Sequence, residues 1–522
     1  MKTVIGLDYG TQSARAVLVN AENGEVLAGH TVKYPHGVME GALASTRDYE
    51  DAFMELLTAV TPEQYRDSIA AICVDATSLT LVPLNKDGEV LANLPEYAER
   101  EHAQIKLWKR HAAQSQADEA LTLAKEMGEP IIRRTGGEIS SEWMLPKVME
   151  IRDCDPELYA QMDLAMDLSE FLTYKLTGEI IRGAGPMSFK CSWARDLGLP
   201  SEKYLNALRP GFAQEYYHLL RGPVTRPGEK IGLLKPELKE KLGFSQDVII
   251  ATPAIDGHTA LVALGALQDG DLALVLGTSN AITPQTTVLC EIEGISGIAM
   301  DGLTAGLYGI DCGQNCTGDM LEWYMTNALP VSVAKEAEQR GVSAHQVLME
   351  RVQNPWQNKV TAVDWFNGSR NAPCDLSLRG NIAGLSLETK PEDIYLALLQ
   401  AIVCGTREVL ELCRAHGVTI SRVVMTGGIA GKNPLLVQQY ADILHMPISV
   451  GQVSEGPAMG SAIFAAVAAG LYKNPVEAYG RMGVHDFVTY EPDGEHAEEY
   501  EQLFQRNHKL RMTLMESGCG RT

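Results

Sequence analysis

The residues best suited to chemistry gather in a few short stretches. GLDYGTQSARAVL, from Gly6 to Leu18, combines an aspartate, two glycines and a run of donors. Gly6 and Gly10 let backbone amides approach an anion, and Thr11, Gln12 and Ser13 add side-chain donors. Asp8 would repel a phosphate unless a hydrated Mg²⁺ stood between them, since Mg²⁺ takes carboxylate ligands and keeps several waters. An ordinary hairpin with an aspartate in its turn would read the same way. A second turn of this kind, Gly277-Thr278-Ser279, lies within DLALVLGTSNAITPQ past mid-chain. Two such turns could clasp one triphosphate from both sides. Gly427 and Gly428 follow the strand-like RVVMT and offer a surface free of side chains, suited to the sugar or base of a nucleotide. A glycine pair after a strand is also, more simply, a turn.

AIDGHTALVALGAL, from Ala254 to Leu267, puts Asp256 at a strand end before an apolar helix. There it could orient and deprotonate a hydroxyl nucleophile. A free aspartate, with a pKa of about 3.9, is a weak base. Loose phosphoryl-transfer transition states, however, need positioning more than early proton removal. The alternative for Asp256 is a helix N-cap. His258, two residues on, reads as structural, and the six tryptophans are too scattered to form a stacking platform for nucleic acid. GGIAGKN lacks the spacing and the Ser/Thr of a Walker A loop, which excludes a P-loop enzyme. No G-x-G-x-x-G follows the first strand, so a dinucleotide-binding domain is unsupported.

The elements that must hold these residues alternate strands and helices. TVIGLDYG, SARAVLVN and EVLAGHTV read as an antiparallel meander, and IAAICVDATS as a buried strand that delivers polar groups at its end. Helical periodicity dominates from about Glu99 to Leu176. The second meander, then RVVMTGG, the helix-like LLVQQYADIL, PISVG and an alanine-rich helix from Pro457 repeat the strand–helix theme, which predicts α/β domains. At 522 residues the chain exceeds what one core usually organises. A boundary is expected between Gly243 and Thr252, where a charged helix yields to the apolar DVIIATPAIDG. The division is then 1–247, 248–490 and a charged helical tail at 491–522 with no assigned role.

A net charge of −23 disfavours nucleic acid and anionic membranes, leaving a small-molecule partner. Ten cysteines are scattered without a disulfide framework, and Cys312 and Cys316 have no second pair at zinc spacing. The N-terminus lacks the apolar core of a signal peptide, and the longest apolar run, Ala462 to Tyr472, is too short to span a membrane. A cytoplasmic protein without membrane segments is expected, with homodimer formation left open.

The ordered set GLDYGT, VDATS, AIDGH, LGTSN and MTGGIAGKN resembles the FGGY carbohydrate kinases from Gly6 to Gly470. Gly380 to Gln400 resembles that family's C-terminal signature. The region around Lys147 departs from the N-terminal one, with Glu150 where a tryptophan is usual. Within the family, GGEISSEWMLPK, KLWKRHAAQ and VDWFNGSR look most like L-ribulokinases. The resemblance implies two actin-like (ribonuclease H-like) domains, with ATP and sugar meeting in a cleft between them. It also implies Asp256 as base, Asp8 near Mg²⁺ through water, and Gly10, Thr11, Gln12, Gly277, Thr278 and Ser279 near phosphates. Gly427, Gly428 and Asn433 would lie near adenosine, and Ser78, Lys190 and Asp311, beside Asp256, would hold the sugar. Asp311 stands where the ribulokinase pattern has glutamate, and the segment after Tyr34 is shorter than usual. One methylene fewer at a hydroxyl-binding carboxylate can change which sugar is held. Kinases for D-ribulose, xylulose or another polyol share every phosphate-side residue. An actin-like assembly or regulatory protein would use the same hairpins without needing Asp256.

Overall fold

A computed structural model describes residues 1–371, 374–452, 455–518 and 521. It divides the chain into two compact units. The first comprises Met1–Gln268, Gly297–Gly309 and Val453–Val484; the second comprises Asp269–Ser296, Ile310–Gln452 and His485–Thr522.

The first unit is built on β1 (Thr3–Tyr9), β2 (Ser13–Asn20), β3 (Val26–Lys33), β4 (Ile69–Ala76), β5 (Lys230–Leu233), β6 (Ile249–Ala251) and β7 (Ala254–Ile255). The sheet runs β5-β6-β4-β1-β2-β3, with β7 pairing β4. The meander β1-β2-β3 is antiparallel as its sequence predicts. β4 joins β1 in parallel. All seven residues of β1 are buried, as befits a central strand covered on both faces. On one face Ile5, Leu7, Tyr9, Ile72 and Val74 pack with Tyr49, Phe53, Leu56 and Leu57 of α1 (Thr46–Ala59) and Phe171, Leu172 and Leu176 of a helix at Leu168–Thr177. The other face is covered by a helix that returns from far along the chain, Gly456–Ala468, through Ala458, Ala462, Ile463 and Ala466. This helix lies so close to β1 that a Cβ on Gly6 would stand 1.8 Å from the Ala458 carbonyl oxygen. Gly6 therefore serves close packing in mid-strand and not the anion-facing turn expected of it, which begins at Gly10.

The boundary expected at residue 247 falls inside this unit. β6 and β7 both pair in parallel with β4, so the apolar strand after the charged helix completes the first sheet instead of opening a second. Asp256, expected in the later domain, belongs to the first unit for the same reason. So do residues 297–309 and the alanine-rich helix.

The second unit repeats the plan with β8 (Asp271–Leu276), β9 (Asn280–Thr286), β10 (Tyr308–Gln314), β11 (Arg422–Thr426), β12 (Ile448–Gly451) and β13 (Phe487–Tyr490), running β10-β9-β8-β11-β12-β13. β8 and β9 are antiparallel, and β11 and β12 add in parallel. In each unit a meander extends from one edge of its first strand while parallel strands add to the other edge. This repeated ribonuclease H-like order is the predicted fold class. The tail is no separate piece: the helix Ala497–Ser517 buries Tyr500, Leu503, Phe504 and Leu514 within the second unit. Among the described residues no helix is long and apolar enough to cross a membrane. The described cysteines are all free thiols, Cys312 and Cys316 among them; Cys519 lies outside the described residues.

Candidate active site

In the first unit three carboxylates converge where parallel strands end. Asp8 and Asp75 are register partners on β1 and β4. Ala254 and Ile255 of β7 pair with Asp75 and Ala76, which brings the next residue, Asp256, to the same edge. Asp75 is fully buried and Asp8 is 3% exposed. Ser461, on the returning helix, donates its hydroxyl to Asp75 Oδ2 at 2.5 Å. Arg15, opposite Asp8 on β2, places Nε 3.3 Å from Asp8 Oδ2 and Nη1 3.5 Å from Glu455 Oε2.

Crowding of like charges in a dry place shows in the proton affinities. Burial first, and the Asp256 charge second, push the Asp8 carboxyl up to about 7, against the pull of Arg15. Burial and then Asp8 drive Asp75 well above the carboxylate range, with the Ser461 hydroxyl opposing. Burial also raises Asp256, and the Gly257 amide, Arg15 and Lys190 work against it. Such a trio carries its full charge only when a cation offsets the repulsion, and otherwise keeps protons.

Asp256 is the first residue of the helix Asp256–Ala263 and caps nothing beyond its neighbour: Gly257 N donates to its Oδ1 at 2.7 Å. The N-cap alternative thus fails, because the N-cap position belongs to Ile255 and no side chain caps this helix. Lys190 ends the helix Ala184–Lys190 and is near enough to Asp256 to affect its charge. Ser78 lies two residues past the end of β4, its hydroxyl near enough to Asp167 to oppose the rise that burial gives that carboxyl. In the β1–β2 turn, Gly10 N donates to Ser13 O at 3.0 Å, Gln12 is exposed, and Thr11 Oγ1 accepts from Trp108 Nε1 at 3.1 Å.

The second unit assembles its own turn. Leu276 and Asn280 close the β8–β9 hairpin around Gly277, Thr278 and Ser279, with Gly277 N donating to Ser279 O at 2.9 Å. The N-terminus of the helix Gly318–Asn327 docks on it. Thr317 Oγ1 and Gly318 N both donate to Gly277 O, at 2.9 and 3.1 Å. Gly427 adopts φ +113°, and a Cβ there would stand 2.1 Å from Leu276 O, so a glycine is required where β11 ends against the hairpin. Gly428 has open space in the direction a side chain would take. Asn433 caps the helix Pro434–Leu444: its Oδ1 accepts from Leu436 N at 2.9 Å and its Nδ2 donates to Tyr395 OH at 2.9 Å. Asp311 sits half-buried on β10 of this unit, away from the glycine turns in sequence, and its carbonyl accepts from Ser296 N.

The structure thus brings Asp8, Asp256 and Lys190 together in one unit, and Gly277–Ser279 with Gly427 in the other. Sequence reasoning missed Arg15, Ser461 and Trp108 as partners of the predicted residues. Asp75 was legible as the polar end of an apolar run, and Arg15 could have been found from hairpin register alone. Ser461 and Trp108 carry no local signal, standing 386 and 97 positions from the groups they contact.

Comparison with known proteins bears on the whole length. The N-terminal model of the FGGY family of carbohydrate kinases matches residues 3–263, and the C-terminal model matches residues 272–469. A ribulokinase of Geobacillus thermodenitrificans is 35% identical over 530 residues, covering 98% of this chain and 94% of that protein. One of Mycolicibacterium smegmatis is 34% identical over 521 residues, covering 96% and 92%. Among solved structures, a xylulose kinase from Rhodospirillum rubrum superimposes with a TM-score of 0.81 at 20% identity, covering 99% of both chains. The glycerol kinase of Plasmodium falciparum with ADP gives 0.79 at 14%, covering 98% of each. These structures share the fold. With both halves matched in order, and with a carboxylate cluster in one and a glycine-lined turn in the other, the chain belongs to the FGGY family of carbohydrate kinases and is an ATP-dependent sugar kinase.

Proposed function

We propose that this kinase phosphorylates a ketopentose, L-ribulose before others, to the 5-phosphate. The observation that carries the sugar class is the likeness to ribulokinases across nearly the whole chain. Asp256 is the base. Its carboxylate takes the proton of the attacking hydroxyl as the oxygen bonds to the γ-phosphorus, the β–γ bridge breaks, and ADP leaves. Arg15 and Lys190 favour the ionised form of Asp256. Ser78, Lys190 and Asp311 hold the sugar hydroxyls. Gly10, Thr11 and Gln12, with Gly277, Thr278 and Ser279, cradle the phosphates through amides and hydroxyls. Gly427, Gly428 and Asn433 lie near adenosine, the two glycines giving it a flat approach.

The residues present fit Mg²⁺. Asp75 Oδ1 is buried and receives no hydrogen bond from a described donor, and Asp8 faces it across the register. No set of three or more His, Cys, Asp or Glu among the described residues is arranged as a closed metal cage. Mg²⁺ does not require one, because it keeps waters and takes one or two carboxylates with the substrate's phosphates. Asp8 would hold it through water, and bound there the ion would neutralise phosphate charge. Free thiols throughout the described chain support a cytoplasmic setting, as a monomer or homodimer.

The test is a coupled ADP-release assay with ATP and a panel of L-ribulose, D-ribulose, both xyluloses and glycerol. A pocket built to pair hydroxyls rejects analogues lacking them by up to about 10⁴-fold in kcat/KM. L-Ribulose is expected to lead and glycerol to trail far behind. A value for glycerol equal to that for L-ribulose would overturn the ketopentose assignment.

A further inference from the structure

The second unit contains a buried polar chain that the chemistry above leaves unused. It begins at Asn280, the residue immediately after the Gly277–Ser279 turn. Asn280 Nδ2 donates to Gln314 Oε1 at 2.8 Å, and Gln314 Nε2 donates to Asp364 Oδ2 at 2.7 Å. Arg511 Nη2, on the C-terminal helix Ala497–Ser517, donates to Asp364 Oδ1 at 2.6 Å. The four side chains are buried to the same degree, with exposures of 0%, 5%, 5% and 6% in that order.

Each link is braced from the side. Thr406 Oγ1 also donates to Gln314 Oε1 at 2.8 Å, and Gln314 Nε2 reaches Ile402 O at 2.8 Å. Arg511 Nε donates to Asn507 Oδ1 at 2.7 Å, so the guanidinium is held at both edges. The backbone is thinned to admit the chain: a Cβ on Gly405 would stand 2.4 Å from Gln314 Nε2 and 2.6 Å from Asp364 Oδ2. A cavity of about 110 Å³ runs alongside Gln314, Asp364 and Arg511. Without Asp364, Gln314 Nε2 keeps only Ile402 O, and the amide has room to shift relative to Asn280.

A buried ion pair is a poor way to gain stability, since well-packed apolar residues usually do as well. It is a good way to impose one geometry on the groups bonded to it. Here those groups end at the stem of the turn. We propose that Arg511 is a positioning residue for ATP, and that the C-terminal helix sets the Gly277–Ser279 turn through Asp364, Gln314 and Asn280. The proposal rests on the reading of that turn as phosphate-binding.

Nucleotide affinity is measured by calorimetry with ADP, which needs no sugar, and the KM values for ATP and pentulose are taken from steady-state kinetics. Displacing a turn slightly from its working geometry can cost up to about 10²-fold. Arg511→Met is expected to weaken ADP binding and raise KM for ATP by about tenfold or more, leaving KM for the pentulose unchanged. Arg511→Lys should restore part of the loss. Arg511→Met alone strands the Asp364 carboxylate and can unfold the unit. The paired variant Asp364→Leu with Arg511→Met removes both charges, keeps the fold, and still takes the Asp364 bond from Gln314. Weakened ADP binding in this folded double variant supports the relay; parent-like binding overturns it, as does an equal rise in both KM values. Thr278→Val separates the premise: unchanged ADP affinity there would remove the phosphate role of the turn and the proposal with it. Weakened affinity in Thr278→Val beside parent-like affinity in the double variant would overturn the relay alone.

Discussion

Asp256→Asn tests the chemistry most directly, because the structure separates what the substitution removes from what it keeps. Asparagine has the same shape, and its amide oxygen can still accept from Gly257 N, the 2.7 Å bond that orients the carboxylate. What disappears is a base and one negative charge. Loss of general-base catalysis lowers kcat by about 10²–10⁴, or roughly 2.7–5.4 kcal/mol in the barrier at about 1.36 kcal/mol per decade. The lost charge has little net effect on nucleotide. Asp256 is the second-largest cause holding the Asp8 carboxyl up at about 7, so its removal lets Asp8 ionise more readily, and the negative charge lost at one carboxylate is partly regained at the other. KM for ATP should then hold while kcat collapses. Steady-state assays with ADP-release coupling give both constants, and calorimetry with ADP checks nucleotide binding independently. Near-parent kcat would refute the base assignment. A matched loss of ADP affinity would show that Asp256 serves nucleotide binding instead.

Asp311→Ala is expected to raise KM for the pentulose and leave KM for ATP nearly unchanged, since the residue belongs to the proposed sugar side; steady-state kinetics with each substrate varied will show whether the two part. Gly6→Ala should destabilise the first unit by about 1–3 kcal/mol or more, because its Cβ would lie 1.8 Å from Ala458 O and backbone must move; denaturant unfolding measures it, and an unchanged midpoint would contradict the packing. Lys147→Met loses the ammonium donations to Leu79 O and Leu107 O, both at 2.9 Å, and should cost about 1–3 kcal/mol. That cost depends on pH: burial lowers the Lys147 pKa from 10.5 to about 7, so the parent alone loses stability as pH falls from 10.5 towards 7. The gap between parent and variant in melting temperature should be widest near the upper end of that window and narrowest near its lower end.

The chemistry-bearing stretches were legible because each is local. A tight turn needs glycines and small polar residues on consecutive positions, and Gly10-Thr11-Gln12 and Gly277-Thr278-Ser279 announce themselves that way. The meanders were legible too, as apolar runs of strand length broken by turns. Asp256 was visible as a carboxylate at a strand end. What it joins was not: the pairing of β6 and β7 with β4 crosses well over a hundred residues, and backbone hydrogen bonding leaves no mark in side-chain composition.

For that reason the sequence by itself determined the two glycine-bearing turns, the repeated α/β plan and the kind of reaction, whereas the tertiary structure alone decided membership and support. The helix Gly456–Ala468 is apolar on nearly every face, so its periodicity names no partner. Only the close approach allowed by Gly6, and by Gly460 against Thr259 O, assigns it to the first sheet, where Ser461 meets Asp75. That Asn433 caps its helix and bonds Tyr395 OH was not legible either, because an asparagine's two ends can be satisfied by many partners and the sequence does not say which. The tail gave no catalytic pattern, yet Arg511 reaches Asp364 across 147 positions. Long-range contacts between polar side chains have no period and no fixed spacing, and so they become visible only once the chain has folded.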